Sequence, residues 1–292
     1  MVLTSWAKAG SRRICDLYRP QPARRTSTSA YDPDMSIALY RSHLGALPVR
    51  RAACYAVGMA APLTDYEKYI RTEELLALQK PVDELSCADE MQFQIVHQAA
   101  ELWMKLAVYE SARAADELHA GNAPKALRLL HRVSKLQLLL VEQISLLDTM
   151  SPRDYMIIRD ALGRGSGQES PGFKGMLRMH EKLWPSFEAL LAARGVTLRA
   201  VYEFPDKEPE LFNVAEALLE IDQALQLWRE RHLKLVFRQI GTGTPSLKGK
   251  PSDLLAEGMK HRFFPALWDV RDELFAEWTK ANPGGAKYGY HG

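Results

Sequence analysis

From about residue 64 onward, apolar residues recur every three or four positions, which is the spacing of one face of an α-helix. This pattern predicts helices over residues 63–79, 86–121, 122–146, 151–162, 170–195, 210–240 and 252–280. Pro265 should kink the last of them. No alternating strand pattern and no long internal repeat stands out. The predicted fold is therefore an all-α bundle in one domain over residues 61–292, with helices long enough to enclose a cofactor.

The first sixty residues have a different composition. Arginines outnumber acids there, and Pro, Ser and Thr interrupt every short apolar run. We expect residues 1–60 to form a poorly ordered, basic N-terminal extension. An organellar transit peptide has a similar Arg/Ser-rich composition. A translation start placed too early is the other interpretation, since Met59 followed by Ala-Ala-Pro would make a reasonable N-terminus.

Overall composition narrows the class of protein. A chain of 292 residues that is 47% hydrophobic and 25% charged can bury a substantial core. Its net charge of +2 is too small to indicate nucleic acid or a membrane as the partner. No apolar run approaches the roughly 20 residues that a membrane-spanning helix needs. Three widely spaced cysteines fit a reducing environment, so we expect a cytoplasmic location.

His97 lies within the apolar stripe of a long predicted helix. Phe93, Ala100 and Met104 share its helical face. Taken alone, such a histidine is more often a core residue bonded to a neighbour than a ligand.

His232 occupies a similar position on another long predicted helix. Leu225, Trp228, Leu235 and Val236 share its face, so this imidazole also points into the apolar interior. Two inward histidines on separate helices could serve a haem, if one binds the iron and the other lies over the oxygen-binding side. There is no C-x-x-C-H sequence, so a haem would be held without thioether links, as haem b.

Tyr155 and Arg159 are four residues apart on a short predicted helix. Most arginines in such places form surface ion pairs. The neighbours of Arg159 are Tyr155, Met156 and Leu162, which indicates a partly buried face. A buried guanidinium requires an anion, and a carboxylate matches its planar pair of donors best.

Three segments resemble the tryptophan 2,3-dioxygenases, which are haem enzymes that oxidise the indole ring. They read DEMxFxxxHQxxELWxK around His97, MxPxxYxxxRDxLxxxSG around Arg159 and WRxRHxKxVxRxIG around His232. The resemblance implies that His232 is the proximal iron ligand and that Ser166 and Trp228 lie at the haem. It implies that His97 accepts the indole N–H, that Phe93 lies against the indole, and that Tyr155 and Arg159 bind the carboxylate.

The resemblance extends to two further segments. A Gly/Thr loop at residues 241–244 is similar to one that closes over the substrate in this family, with Thr242 as the expected contact and Thr244 as the alternative. Tyr66, Tyr69 and Ile70 resemble an N-terminal element that reaches into a neighbouring subunit, which implies a homo-oligomer, a tetramer in this family. The other explanation is an amphipathic helix packed on its own core.

The function that the resemblance implies is insertion of oxygen from O2 at the C2–C3 bond of L-tryptophan or a substituted tryptophan. Completing both transfers gives N-formylkynurenine. The chain is shorter than family members between Ser166 and His232 by tens of residues, so a monooxygenase of the same family remains an alternative, giving an oxindole or a hydroxylated aromatic amino acid.

Two other classes of protein fit the sequence less well. A non-catalytic haem-binding helical protein would explain the two histidines but not the Arg159 segment. A di-iron bundle is disfavoured, because none of the eight histidines follows a Glu by three positions.

Overall fold

The computed structural model describes residues 62–163, 165, 167–242 and 261–282. Within these ranges every regular element is helical, as the sequence predicts, and no strand occurs. The chain divides into two compact units, Met1–Leu63 and Thr64–Gly292, and the second contains all the helices given below. The extension expected over residues 1–60 lies outside the described residues.

In the described ranges, ten α-helices follow one another along the chain. The first five are α1 (Asp65–Ile70), α2 (Thr72–Leu76), α3 (Glu90–His119), α4 (Ala123–Leu147) and α5 (Pro152–Leu162). The next five are α6 (Pro171–Leu177), α7 (His180–Arg194), α8 (Leu198–Glu203), α9 (Pro209–Ile240) and α10 (Pro265–Ala281).

Side-chain caps fix several helix starts. The Thr64 hydroxyl accepts a hydrogen bond from the Glu67 amide at 3.2 Å, while the Glu67 carboxylate accepts one from the Thr64 amide at 2.7 Å. This reciprocal capping box begins α1. The Ser151 hydroxyl accepts from the Asp154 amide at 3.0 Å, which confirms the predicted start of α5.

Four boundaries differ from the predictions. The expected helix over 63–79 is broken at Arg71, whose φ of 56° lies in the left-handed region. The helix expected over 170–195 is two helices, because Arg178 (φ −103°, ψ 0°) leaves the helical ladder at the end of α6. The predicted kink at Pro265 is wrong, since residues 261–264 are not helical and Pro265 is the first residue of α10. α8 lies where no helix was predicted.

The core is organised around α4, which packs against both α3 and α9. Its apolar stripe is buried, with Leu130, Val133 and Leu140 completely inaccessible. α6 and α7 pack on another part of α3. Because α3 and α9 share α4 as a partner, His97 and His232 belong to helices held at a fixed separation.

Two contacts fasten the end of α4 to α9. Arg231 forms an ion pair with Asp148, just after α4. The buried Gln239 side chain donates to the Leu147 and Met150 carbonyls at 3.1 and 3.3 Å. The turn that leads into α5 is therefore held against the half of α9 that carries His232.

Asp222 fastens α10 to α9 and is completely buried. Its Oδ2 accepts hydrogen bonds from the Phe263 amide at 3.1 Å, the Phe264 amide at 3.4 Å and the Trp268 indole N–H at 2.9 Å. A buried carboxylate oxygen with three donors is stable because the donors replace its lost hydration.

We predict that Asp222→Ala lowers the free energy of unfolding by at least about 3 kcal/mol, because it leaves three buried donors without an acceptor. Urea denaturation measures this change. Glu220→Ala, which removes an exposed carboxylate from the same helix, is the matched control and should change stability by less than about 0.5 kcal/mol. Equal effects of the two substitutions would contradict the assignment of Asp222 as the anchor.

Candidate active site

His232 lies on α9 with its ring stacked on the Trp228 ring, at 5.1 Å between centroids and 8° between planes. Burial and, to a lesser degree, the nearby His97 lower its pKa to about 4. The ring is therefore uncharged near neutral pH. The two imidazoles lie near enough for His97 to affect the pKa of His232, although they belong to different helices.

His97 lies on α3 and has a defined tautomer. Its Nδ1 is 2.7 Å from the Phe93 carbonyl oxygen one turn earlier. A carbonyl oxygen only accepts, so Nδ1 carries the proton and donates it. Nε2 then has a free lone pair and can accept a hydrogen bond. The Phe93 ring lies 4.0 Å from the imidazole, centroid to centroid.

The His97 side chain is exposed to solvent, and the protein atoms around the ring are the main cause of its lowered pKa. The Phe93 carbonyl and the Glu101 carboxylate oppose that shift.

A small apolar cluster forms one wall of this region, and we call it the site cluster. Its buried members come from α3, α4, α5, α9 and the α4–α5 turn, namely Val96, Ile144, Leu147, Met150, Ile158 and Leu235. Half-buried Phe93, Tyr155 and Trp228 pack against it. Phe93, Tyr155 and Trp228 were all predicted to be site residues and come from three different helices. They meet at one cluster.

Tyr155 and Arg159 lie near each other on α5, and both are half-buried. Burial raises the pKa of Tyr155, and the positive charge of Arg159 partly opposes that increase. The phenol is thus neutral and beside a guanidinium, at the edge of the site cluster. This is a suitable environment for recognition of an anion.

Other predicted site residues do not pack against the site cluster. Tyr66 and Tyr69 are 70% and 88% exposed, and α1 has no buried residue. The alternative of an amphipathic α1 packed on its own core is therefore wrong. Thr242 is exposed, directly after Gly241, whose positive φ of 76° ends α9. Ser166 and Thr244 lie outside the described residues.

Sequence reasoning missed three residues near the histidines. Phe173, on α6, lies 5.1 Å from the Trp228 ring between centroids. Glu101 accepts hydrogen bonds from Ser170 and from the Gly172 amide. Glu101 follows His97 by four positions, which could have indicated its proximity. Ser170 and Phe173 carry no comparable signal.

The described ranges contain neither a cluster of metal-binding side chains nor a membrane-spanning helix. No three acidic, histidine or cysteine side chains there lie close enough together to hold a metal ion. None of the helices there combines the length and apolar content needed to cross a bilayer.

Comparison with known proteins identifies the family. The family model for tryptophan 2,3-dioxygenase matches residues 55–184. The tryptophan 2,3-dioxygenase of Erythrobacter litoralis is 33% identical over 268 residues, covering 74% of this chain and 100% of the relative. Those of Caulobacter vibrioides and Saccharopolyspora erythraea are 30% and 32% identical, covering 74% and 72% of this chain and 100% and 92% of the relatives.

The matches to the first two relatives extend over their whole length. Each alignment includes only 74% of this chain of 292 residues, although the alignment with the first relative has 268 positions. Some of those positions therefore have no counterpart in this chain. The part of this chain that aligns is thus shorter than the relatives it matches; the expected location of the shortening, between Ser166 and His232, stays a prediction. Since identities of 30–33% cover nearly three quarters of it, the chain belongs to the tryptophan 2,3-dioxygenase family.

Proposed function

We propose that the protein is a haem-dependent tryptophan 2,3-dioxygenase, which inserts both atoms of O2 at the C2–C3 bond of L-tryptophan and gives N-formylkynurenine. The observation that carries this proposal is the placement of two uncharged imidazoles on α3 and α9. Phe93, whose ring contacts His97, and Trp228, which stacks on His232, pack against the same site cluster. Membership of the family supplies the substrate and the reaction. We also propose a cytoplasmic location, on the cysteine pattern alone.

The residues present fit a b-type haem, with His232 as the iron ligand. Iron binds neutral imidazole, and burial keeps His232 neutral. In the part of the chain that the structure describes, the ring of His232 stacks on Trp228 and its nitrogens form no hydrogen bond. A nitrogen lone pair is therefore available. Trp228 would limit rotation of the ring, and Ser166 would lie at the edge of the haem.

His97 would orient the indole ring. Its Nε2 accepts a hydrogen bond, because Nδ1 already donates to the Phe93 carbonyl. The indole N–H is a donor without acceptor capacity, so the two groups are complementary. Phe93 would lie against the face of the indole.

Arg159, Tyr155 and Thr242 would hold the amino-acid end of the substrate. A guanidinium in a half-buried position binds a carboxylate through two parallel hydrogen bonds. The neutral Tyr155 phenol can donate to the same carboxylate. Thr242, directly after α9, would contact the ammonium and carboxylate groups from the other side.

The chemistry divides between the cofactor and the chain. The haem, when bound, supplies an iron centre that binds and activates dioxygen. The chain fixes the indole and the amino-acid end at separate points, and such orientation can lower a barrier by roughly 7–11 kcal/mol. The apolar residues of the site cluster exclude water, which protects reactive species from side reactions.

The histidine assignments predict different outcomes for two substitutions. His232→Ala should abolish stable haem binding, because a haem without thioether links depends on its axial ligand. His97→Ala should keep the haem and lower kcat/KM about 10–100-fold, the effect of losing one hydrogen bond of about 1–3 kcal/mol. Absorption spectra of the purified variants measure both. Haem kept in His232→Ala and lost in His97→Ala would mean that the two roles are exchanged.

A pH profile provides a further test of the role of His97. His97 accepts a hydrogen bond only when neutral, and burial lowers its pKa below the ordinary 6.5. The acid limb of kcat/KM should therefore lie below pH 6.5, with activity lost as the pH falls through the lowered pKa. His97→Ala should remove this limb. An unchanged limb in that variant would assign it to another group.

The role of Arg159 is tested by comparing substrates. Arg159→Leu should raise KM for L-tryptophan by the equivalent of roughly 2–5 kcal/mol, since the substrate carboxylate would lose its partner in a partly desolvated site. Tryptamine, which lacks the carboxylate, is the control and should be much less affected. Equal losses with both substrates would show that Arg159 supports the fold instead.

The exposed aromatic residues of α1 support a homo-oligomer. A helix with no buried residue and two tyrosines that are 70% and 88% exposed needs another surface to cover it. We propose that α1 of one subunit, with Tyr66, Tyr69 and Ile70, covers the substrate site of another subunit in a homotetramer. Sedimentation should then give four subunits, and Tyr69→Ala should raise KM without loss of haem. A monomer with full activity would contradict this proposal.

A further inference from the structure

Glu101 joins the helix of His97 to the start of α6. It lies on α3 four residues after His97, and it is half-buried. Its Oε1 accepts a hydrogen bond from the Ser170 hydroxyl, and its Oε2 accepts one from the Gly172 amide at 3.0 Å. Both acceptor atoms of this carboxylate are therefore engaged by a segment that lies 69 or more residues away in sequence.

Ser170 links this carboxylate to α6. The same hydroxyl that donates to Glu101 accepts from the Phe173 amide at 2.9 Å, as the N-cap of the helix. The position of Phe173 is thus set by a cap that is itself fixed to α3. A cap bonded to a carboxylate is more restrained than one exposed to water, because charge-assisted hydrogen bonds are stronger.

Gly172 permits the close approach of the two elements. A Cβ at this position would lie 2.7 Å from Glu101 Oε2 and 2.8 Å from Met104 Cβ. The start of α6 therefore lies against the backbone side of α3 without room for another atom. This tight fit leaves little freedom for α6 to move relative to His97.

Ring contacts continue from α6 to His232. The Phe173 ring lies 5.1 Å from the Trp228 ring, and the Trp228 ring lies 5.1 Å from the His232 ring. The last pair is nearly parallel, with 8° between the planes. The Trp228 ring thus contacts Phe173 and stacks on the imidazole, so any shift of Phe173 changes the support of the His232 ring.

We propose that Glu101 and Ser170 are positioning residues for His232. They hold Phe173 against Trp228, and Trp228 in turn fixes the plane of the imidazole. The orientation of the iron ligand on α9 is thereby set from α3, the helix that carries His97. The inference rests on the proposed role of His232 as the iron ligand, and it adds residues that contact neither haem nor substrate.

The test uses Ser170→Ala in the haem-loaded protein. Groups that orient a metal ligand typically change metal affinity by about 10–100-fold. We therefore expect haem to leave this variant about 10–100-fold faster, measured by transfer to a haem-free acceptor protein. The iron–histidine stretching band of the ferrous protein, measured by resonance Raman spectroscopy, should shift. Ser170→Thr, which keeps the hydroxyl, should restore both values toward those of the unmodified protein.

Two further variants test two separate contacts between Glu101 and His232, the hydrogen bonds at Glu101 and the ring contact of Phe173. Glu101→Gln leaves one acceptor oxygen for two donors and should shift the band. Phe173→Leu leaves the hydrogen bonds at Glu101 in place and removes only the ring, and it should shift the band as well. If Ser170→Ala does not fold, these two variants decide the outcome.

Thr197→Ala is the matched control. It removes the N-cap of α8, in which the Thr197 hydroxyl accepts from the Ala200 amide at 3.1 Å. None of the residues that link Glu101 to His232 lies on α8. It should leave the band and the rate of haem loss unchanged. An unshifted band in Glu101→Gln and Phe173→Leu would overturn the inference. If His232→Ala keeps the band, the ligand assignment itself fails instead.

Discussion

The placement of two uncharged imidazoles, one on α3 and one on α9, is the constraint on which the other features of this protein depend. Burial lowers the pKa of His97 and takes that of His232 to about 4, so neither ring carries a charge near neutral pH. A charged ring in this position would be costly without a partner. A neutral ring presents a lone pair, and at His97 the Phe93 carbonyl determines which nitrogen presents it.

The surrounding helices can be understood as supports for these two rings. α4 lies against both α3 and α9 and keeps them at a fixed separation. Arg231 and Gln239 fasten the end of α4 and the following turn to α9, which brings α5 with Tyr155 and Arg159 to the same region. Asp222 fixes the start of α10 to the other half of α9. Of these anchors, Asp222 is completely buried, and both of its carboxylate oxygens accept hydrogen bonds. Such interior bonds specify a unique packing.

The sequence predicted those features that depend on local spacing. The helices that carry His97 and His232 and the start of α5 at residues 151–152 all follow from contacts between residues three or four positions apart. The break at Arg71 was not predictable, because a non-glycine residue in the left-handed region has no sequence signal. α8 has six residues, too few for a periodic pattern. Asp222 could have been suspected as an acid within an apolar stripe, whereas its three donors come from 41 or more residues away.

The candidate site depends on contacts between residues that are far apart in sequence, and the sequence alone does not reveal these contacts. The site cluster joins five parts of the chain, and only the folded structure shows that Phe93, Tyr155 and Trp228 pack on the same apolar surface. The link from Glu101 through Ser170 joins positions 69 residues apart. Motifs identified the separate segments, but the distances between them are set by packing.

The most direct test of the account is the mass of the product formed from L-tryptophan by the haem-loaded protein under isotopically labelled dioxygen. The account predicts N-formylkynurenine that carries two labelled oxygen atoms, with the yield lost in His232→Ala. A product with one labelled atom, such as an oxindole, would contradict dioxygenation. No conversion of L-tryptophan by protein with a full complement of haem would contradict the proposed function.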